Sequence, residues 1–284
     1  VGELPNHRSV KGERQLLCIG VKYRNLTKVV SQENCQKSAE YIADFYGRNS
    51  RGLLQIKASS LPAFEIDMLG SKAAYTAAVQ LIKEKYPTYD FYVIPGIYTY
   101  PHASGKVAHV ISEQYMTATH EVGHLIGLGH AGVYRKENGQ MVYIEYGDTD
   151  SIMGRVISKY ITAPQFYYLG WLRADEVASY DPQVEFYDLR TIGAYKQKGL
   201  ATVVISPLIM KENGMNQDRF AFVSRSNCEG NTCISLHLLK NGSSQKVAED
   251  ANEIYDPNFT GLHIKLLGTV NNNYRVSIDF DQKP

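Results

Sequence analysis

Along the first half of the chain, apolar residues alternate between two spacings. LLCIGVKY (16–23), LLQIKASS (53–60) and FYVIPGI (91–97) are compact apolar runs of strand length, the last closed by proline and glycine. KVAHVIS (106–112) alternates, as a strand covered on one side does. Between these runs, SQENCQKSAEYIADFYGRNS (31–50) and SKAAYTAAVQLIKEKY (71–86) carry apolar residues at helical spacing. The first opens on a serine cap signal, and the second stops before Pro87. Strands alternating with helices predict an α/β layer with a largely parallel sheet. EQYMTATHEVGHLIGL (113–128) adds a further helix, residues 131–160 are turn-rich, and APQFYYLGWL (163–172) is a short helix.

Past SYDPQ (179–183) the pattern changes to short β-type runs such as LATVVISPL, RFAFVSRS, CISLHLL and YRVSIDF, separated by Gly, Asn, Asp and Ser. That spacing predicts an all-β sandwich. The expected division is therefore residues 1–178, with an upper part to about 130 and a lower part 131–178, followed by a β domain over 179–284.

Composition changes this picture little. The 284 residues are 44% apolar and 21% charged, an ordinary globular balance. A formal charge of +1 supplies no basic field for nucleic acid or an anionic membrane, and no apolar run has the length of a membrane span. The N-terminus begins with valine and lacks a signal-peptide core, so the expectation is a processed start. Cys228 and Cys233 flank the turn-like EGNT and are placed for a local bridge, whereas Cys18 and Cys35 fit a bridge or two free thiols equally. Asn25, Asn241 and Asn258 begin N-x-Ser/Thr sequons.

The chemistry is concentrated in THEVGHLIGLGHAGV (119–133), where three of eight histidines fall. His120 and His124 are four apart, so on a helix both rings face one side and can share a tetrahedral zinc. Glu121 stands beside the first ligand, as a general base for a water activated by the metal. Gly127 permits the sharp turn that brings His130 back as a third ligand, and three protein ligands leave an open position. The blander alternative is three unrelated histidines on a partly buried helix, with Gly127 as an ordinary helix C-cap.

HEVGHLIGLGH resembles the zinc signature of the metzincin metallopeptidases, and SIMG (151–154) resembles their methionine turn. Within that clan, GLGHA and YGDTDSIMG (146–154) are similar to the gametolysin type; the likeness spans roughly residues 15–172. The resemblance implies a metzincin-like α/β (α+β) catalytic domain with a twisted, mostly parallel sheet and a long active-site helix. It also implies that Met153 forms an apolar floor beneath the zinc, and that the strand carrying His109 borders the cleft, where an extended substrate pairs with its edge. Arg155 stands where some metzincins supply a tyrosine ligand, and Ala131 replaces the acidic or hydroxyl residue found after the third histidine in several families.

Together these features lead us to expect a secreted, monomeric zinc endopeptidase acting on extracellular proteins. Two alternatives are a zinc-bound amide hydrolase of non-peptidase type and a binding module with vestigial activity. Glu145, 21 residues after His124, is a rival third ligand. With Asp148 and Asp150 it forms an acidic cluster that admits a Ca2+ site or, more simply, Asx-turns and solvated charge.

Overall fold

The apolar runs of the first half pair with one another, and the helical stretches cover them. The computed structural model describes residues 4–112, 114–155, 158–192, 197–228 and 231–280, without the side chains of Asn227, Cys228 and Asn231. Contacts divide the chain into two compact units, residues 10–127 and residues 1–9 with 128–284.

In the unit of residues 10–127 the order is β1 (Gly12–Cys18), β2 (Val21–Tyr23), α1 (Gln32–Asn49), β3 (Leu54–Ser60), β4 (Phe64–Ile66), α2 (Lys72–Lys85), β5 (Phe91–Pro95), β6 (His102–Ser104), β7 (Val107–Val110) and α3 (Tyr115–Leu125). The main sheet runs β3-β1-β5-β7-β6, parallel through β7 with β6 antiparallel at the edge. β2 and β4 form a separate parallel pair, so the run 16–23 is two strands rather than one. Both helix starts use the serines marked in the sequence: Ser31 Oγ accepts from the Asn34 N–H and Ser71 Oγ from the Ala74 N–H, each at 3.1 Å. Ala74, Tyr75, Ala78 and Ile82 of α2 bury against Leu17, Tyr92, Ile94 and Val107 of the sheet.

One expectation is corrected here. The strand KVAHVIS is not an open edge, because β7 pairs with β5 on one side and β6 on the other. The outer strand is β6.

The second unit contains β8 (Ala131–Glu137), β9 (Gln140–Ile144), α4 (Ala163–Tyr168), β10 (Val177–Ser179), β11 (Tyr187–Leu189), β12 (Thr202–Ile205), α5 (Pro207–Glu212), β13 (Phe220–Cys228), β14 (Asn231–Lys240), β15 (Ser243–Asp250), β16 (Glu253–Asp256), β17 (Leu262–Val270) and β18 (Asn273–Phe280). A seven-stranded sheet runs β10-β12-β13-β14-β15-β8-β9, and a four-stranded sheet runs β11-β18-β17-β16. One apolar core joins them, with Val203, Val223, Leu236 and Leu238 from the first and Leu262, Ile264, Val276 and Ile278 from the second.

The division of the chain thus differs from the expected boundary near 178/179. β8 and β9 precede that boundary in sequence, yet β8 pairs in parallel with β15. Their hairpin turns at Asn138 and Gly139, both at positive φ, as a two-residue type I′ turn requires.

Cys233 is disulfide-bonded; the side chain of its expected partner, Cys228, lies outside the described residues. Cys18 and Cys35 are free and buried, and burial pushes the Cys18 thiol well above its ordinary range. Among the described residues no helix is long and apolar enough to cross a membrane.

Candidate metal centre

α3 delivers the first two histidines and then ends where the third must turn back. The Ile126 N–H still reaches Val122 O at 3.1 Å, but the Gly127 N–H bonds the His124 carbonyl at 3.0 Å, closing the helix one turn short of continuation. Gly127 has φ +102, a backbone conformation that a side chain would strain. The helix is therefore shorter than the run 113–128, and its break lies where the histidine spacing requires one.

Within this continuous segment His120 Nε2 and His124 Nε2 lie 3.1 Å apart, with ring planes at 82°. One ring nitrogen from each of His120, His124 and His130 falls within 4.8 Å of the others, and among the described residues this is the group able to hold a metal ion. In a tetrahedral zinc site with Zn–N bonds of 2.0–2.1 Å, neighbouring nitrogens sit roughly 3.3 Å apart. The first pair fits that spacing.

Glu121 is almost wholly buried beside His120, and burial pushes its carboxyl up to about 7. Behind it, the fully buried Tyr46 donates to the Thr119 carbonyl at 2.7 Å, fixing α3 to α1. The Tyr46 phenol is itself held well above its ordinary value, by burial first and by the Glu121 charge second.

His130 is held by a different set of contacts. Its Nδ1 lies 2.6 Å from Glu145 Oε1, a contact through which Glu145 orients the imidazole. Glu145 thus contacts the third histidine directly in this structure. The backbone around His130 is clamped on both sides. The Gly129 N–H donates to Gly242 O at 3.1 Å, and the Ser244 N–H donates to His130 O at 3.0 Å. Gln165 Nε2 donates to Gly129 O at 3.1 Å, while Gln165 Oε1 accepts from Ser151 Oγ at 2.9 Å.

The same Ser151 hydroxyl accepts from the Met153 N–H at 3.1 Å, and Met153 O accepts from the Ala131 N–H at 2.9 Å. Met153 is thus a fully buried residue tied by its backbone to the position following His130. Gly154 is dictated by contact: a Cβ there would meet Asp148 O at 2.1 Å. The Arg155 N–H donates to that same carbonyl at 3.1 Å. Gln165 and Ser151 went unmarked in the sequence, where a lone glutamine and serine carry no spacing signal.

The acidic cluster corrects the calcium expectation. Asp148 is fully buried, with Oδ1 at 2.9 Å from Lys246 Nζ and Oδ2 at 3.2 Å from His237 Nε2. Lys246 also binds Asp150 at 2.7 Å and Glu249 at 2.8 Å. The carboxylates therefore surround an ammonium, and Glu145 is engaged by His130. Burial alone would raise the Asp148 carboxyl, but the His237 and Lys246 contacts hold it down at about 2.

Compared with protein-family models and with curated proteins, the chain matches none.

Proposed function

We propose that the protein is a zinc-dependent endopeptidase of the metzincin clan, similar to the gametolysin type. The observation that carries this reading is the grouping of the His120, His124 and His130 ring nitrogens next to the buried Glu121 carboxyl. The donor set suits zinc: three neutral imidazoles, one of them backed by a carboxylate, with no thiolate. When bound, zinc supplies Lewis acidity, making water a competent nucleophile near neutral pH and polarising a carbonyl.

The chain's own residues do the rest. Glu121 accepts the proton of the attacking water and passes it to the departing amine. Glu145 and the Gln165 clamp keep His130 in place, so that the three donors are preorganised. Extracellular protein substrates and a secreted location accord with the disulfide at Cys233, since such bonds persist in oxidising compartments. The test is a defined peptide library with product mapping. Internal cuts that vanish on chelation, return with zinc, and are absent in Glu121→Ala are expected. Release of terminal residues only, or turnover retained by Glu121→Ala, would contradict the reading.

A further inference from the structure

The unit of residues 10–127 holds a second cluster of reactive groups whose walls include nothing from α3. A cavity of about 630 Å3 opens between α2, the segment 98–104 and β7. Tyr75, Val79, Tyr98, Tyr100 and His102 give it an aromatic, mostly apolar lining, and Ser104 and His109 stand on its wall. Its size suits a small organic ligand.

The hydrogen bonds in this wall favour one assignment of protons, with Thr99 as a further side-chain partner of the Tyr75 hydroxyl. Tyr75 Oη lies 2.9 Å from the Ile94 carbonyl and 2.8 Å from His109 Nδ1. A carbonyl only accepts, so the single phenolic proton goes to Ile94 O. The Tyr75 oxygen must then accept from His109 Nδ1–H; otherwise two oxygens would face each other lone pair to lone pair. His109 Nε2 is left as the acceptor, and Ser104 Oγ lies 2.8 Å from it. The chain Ser104 O–H to His109 Nε2, His109 Nδ1–H to Tyr75 Oη, Tyr75 O–H to Ile94 O is that of a hydroxyl aimed at an oriented base. His102 stacks on the His109 ring at 4.1 Å and 5°, fixing its plane. Burial first, with the His102 and Lys83 charges, lowers His109 to about 4, so the imidazole is neutral across the physiological range.

We propose that Ser104 and His109 form a second reactive centre that takes acyl esters bearing an apolar or aromatic group, transferring the acyl group to Ser104 Oγ. The bond from Oγ to the acyl carbon forms and the ester C–O bond breaks. The hydroxyl proton passes to His109 Nε2 and then to the departing alcohol or phenol oxygen. Attack of water on acyl-Ser104, with the same base, releases the carboxylic acid and restores the hydroxyl. Lys72 supplies a cation on the cavity wall for an anionic leaving group. Tyr75 is a positioning residue: it orients the imidazole but, being neutral, stabilises the imidazolium less than a carboxylate does. The expected signature is therefore a burst followed by slow turnover.

The experiment uses the full chain stripped of metal by chelation and treated with 4-nitrophenyl acetate and butyrate, which separates it from any zinc chemistry. A burst of nitrophenolate of up to one equivalent per chain, with the acyl group mapped to the peptide containing Ser104, is expected. Ser104→Ala should abolish both while circular dichroism stays unchanged, because the side chain is exposed. His109→Gln should slow acylation about 100-fold. Tyr75→Phe should slow the burst without shifting its half-saturating ester concentration. The proposal is overturned by an undiminished burst in Ser104→Ala, by acylation mapped elsewhere, or by the absence of any burst in the unaltered chain.

Discussion

Two histidine clusters in this chain, one half-buried and one buried, are built in opposite ways. His120, His124 and His130 come from one stretch of eleven residues, and their grouping follows from helical pitch and a glycine turn. His237, Asp148, Lys246 and Asp150 meet across the sheet, with 89 positions between His237 and Asp148 and 96 between Lys246 and Asp150. The first cluster has donors grouped around a common point and little charge of its own. The second is saturated: each carboxylate is matched by an ammonium or an imidazole. The difference separates a site arranged to receive an ion from one that has already supplied its own cation.

Substitutions should break the two clusters differently. His124→Ala is expected to remove stoichiometric zinc and the proposed peptidase activity while leaving the fold cooperative, as metal analysis and thermal melting would show. Glu121→Ala should keep the metal and lose about 10²- to 10⁴-fold in turnover. In the second cluster, Lys246→Ala leaves buried carboxylates unpaired and should cost about 3–5 kcal/mol of stability, measured by denaturant unfolding. Zinc affinity should be altered far less than stability in that variant. Smaller still, Glu145→Ala should weaken zinc by about tenfold without losing the 1:1 stoichiometry, because an orienting carboxylate is removed and no ligand is lost. Loss of stoichiometric zinc in Glu145→Ala would restore the glutamate as a ligand.

Acid should distinguish the clusters as well. Asp148 is depressed in the folded chain, so its stabilising contribution is present above its unfolded value of about 3.9 and is lost as pH falls through about 2. Lys246 is raised, so its contribution is present below its unfolded value of about 10.4 and is lost as pH rises past it. A pH series of unfolding midpoints should therefore lose its acid arm in Asp148→Asn.

What the sequence reveals follows the range of the interactions. The serine caps at Ser31 and Ser71, the helix carrying His120 and His124, and the break at Gly127 are all set within one or two turns of chain, and periodicity exposes them. Parallel order in the first sheet was legible from alternation alone. The β8–β9 hairpin carried a local signal, Asn138-Gly139 between alternating runs, that the turn-rich character of 131–160 obscured. Nothing in those residues, however, announces that β8 pairs with β15, or that Gly242 and Ser244 clamp the backbone of Gly129 and His130. This pairing gives the C-terminal strands a function that composition conceals: they hold the third histidine. The partner of Asp148 and Asp150 stayed hidden for the same reason, since the neutralising lysine arrives from a distant strand. The Asx-turn offered by the sequence is present, with the Asp150 N–H on Asp148 Oδ1 at 3.0 Å.

The most direct measurement is zinc K-edge X-ray absorption on the full chain loaded with one equivalent of the metal. The account predicts a first shell of four light atoms at about 2.0–2.1 Å with outer-shell scattering from three imidazoles, and loss of stoichiometric zinc in His130→Ala. A sulfur scatterer near 2.3 Å, or a spectrum unchanged by His130→Ala, would contradict it.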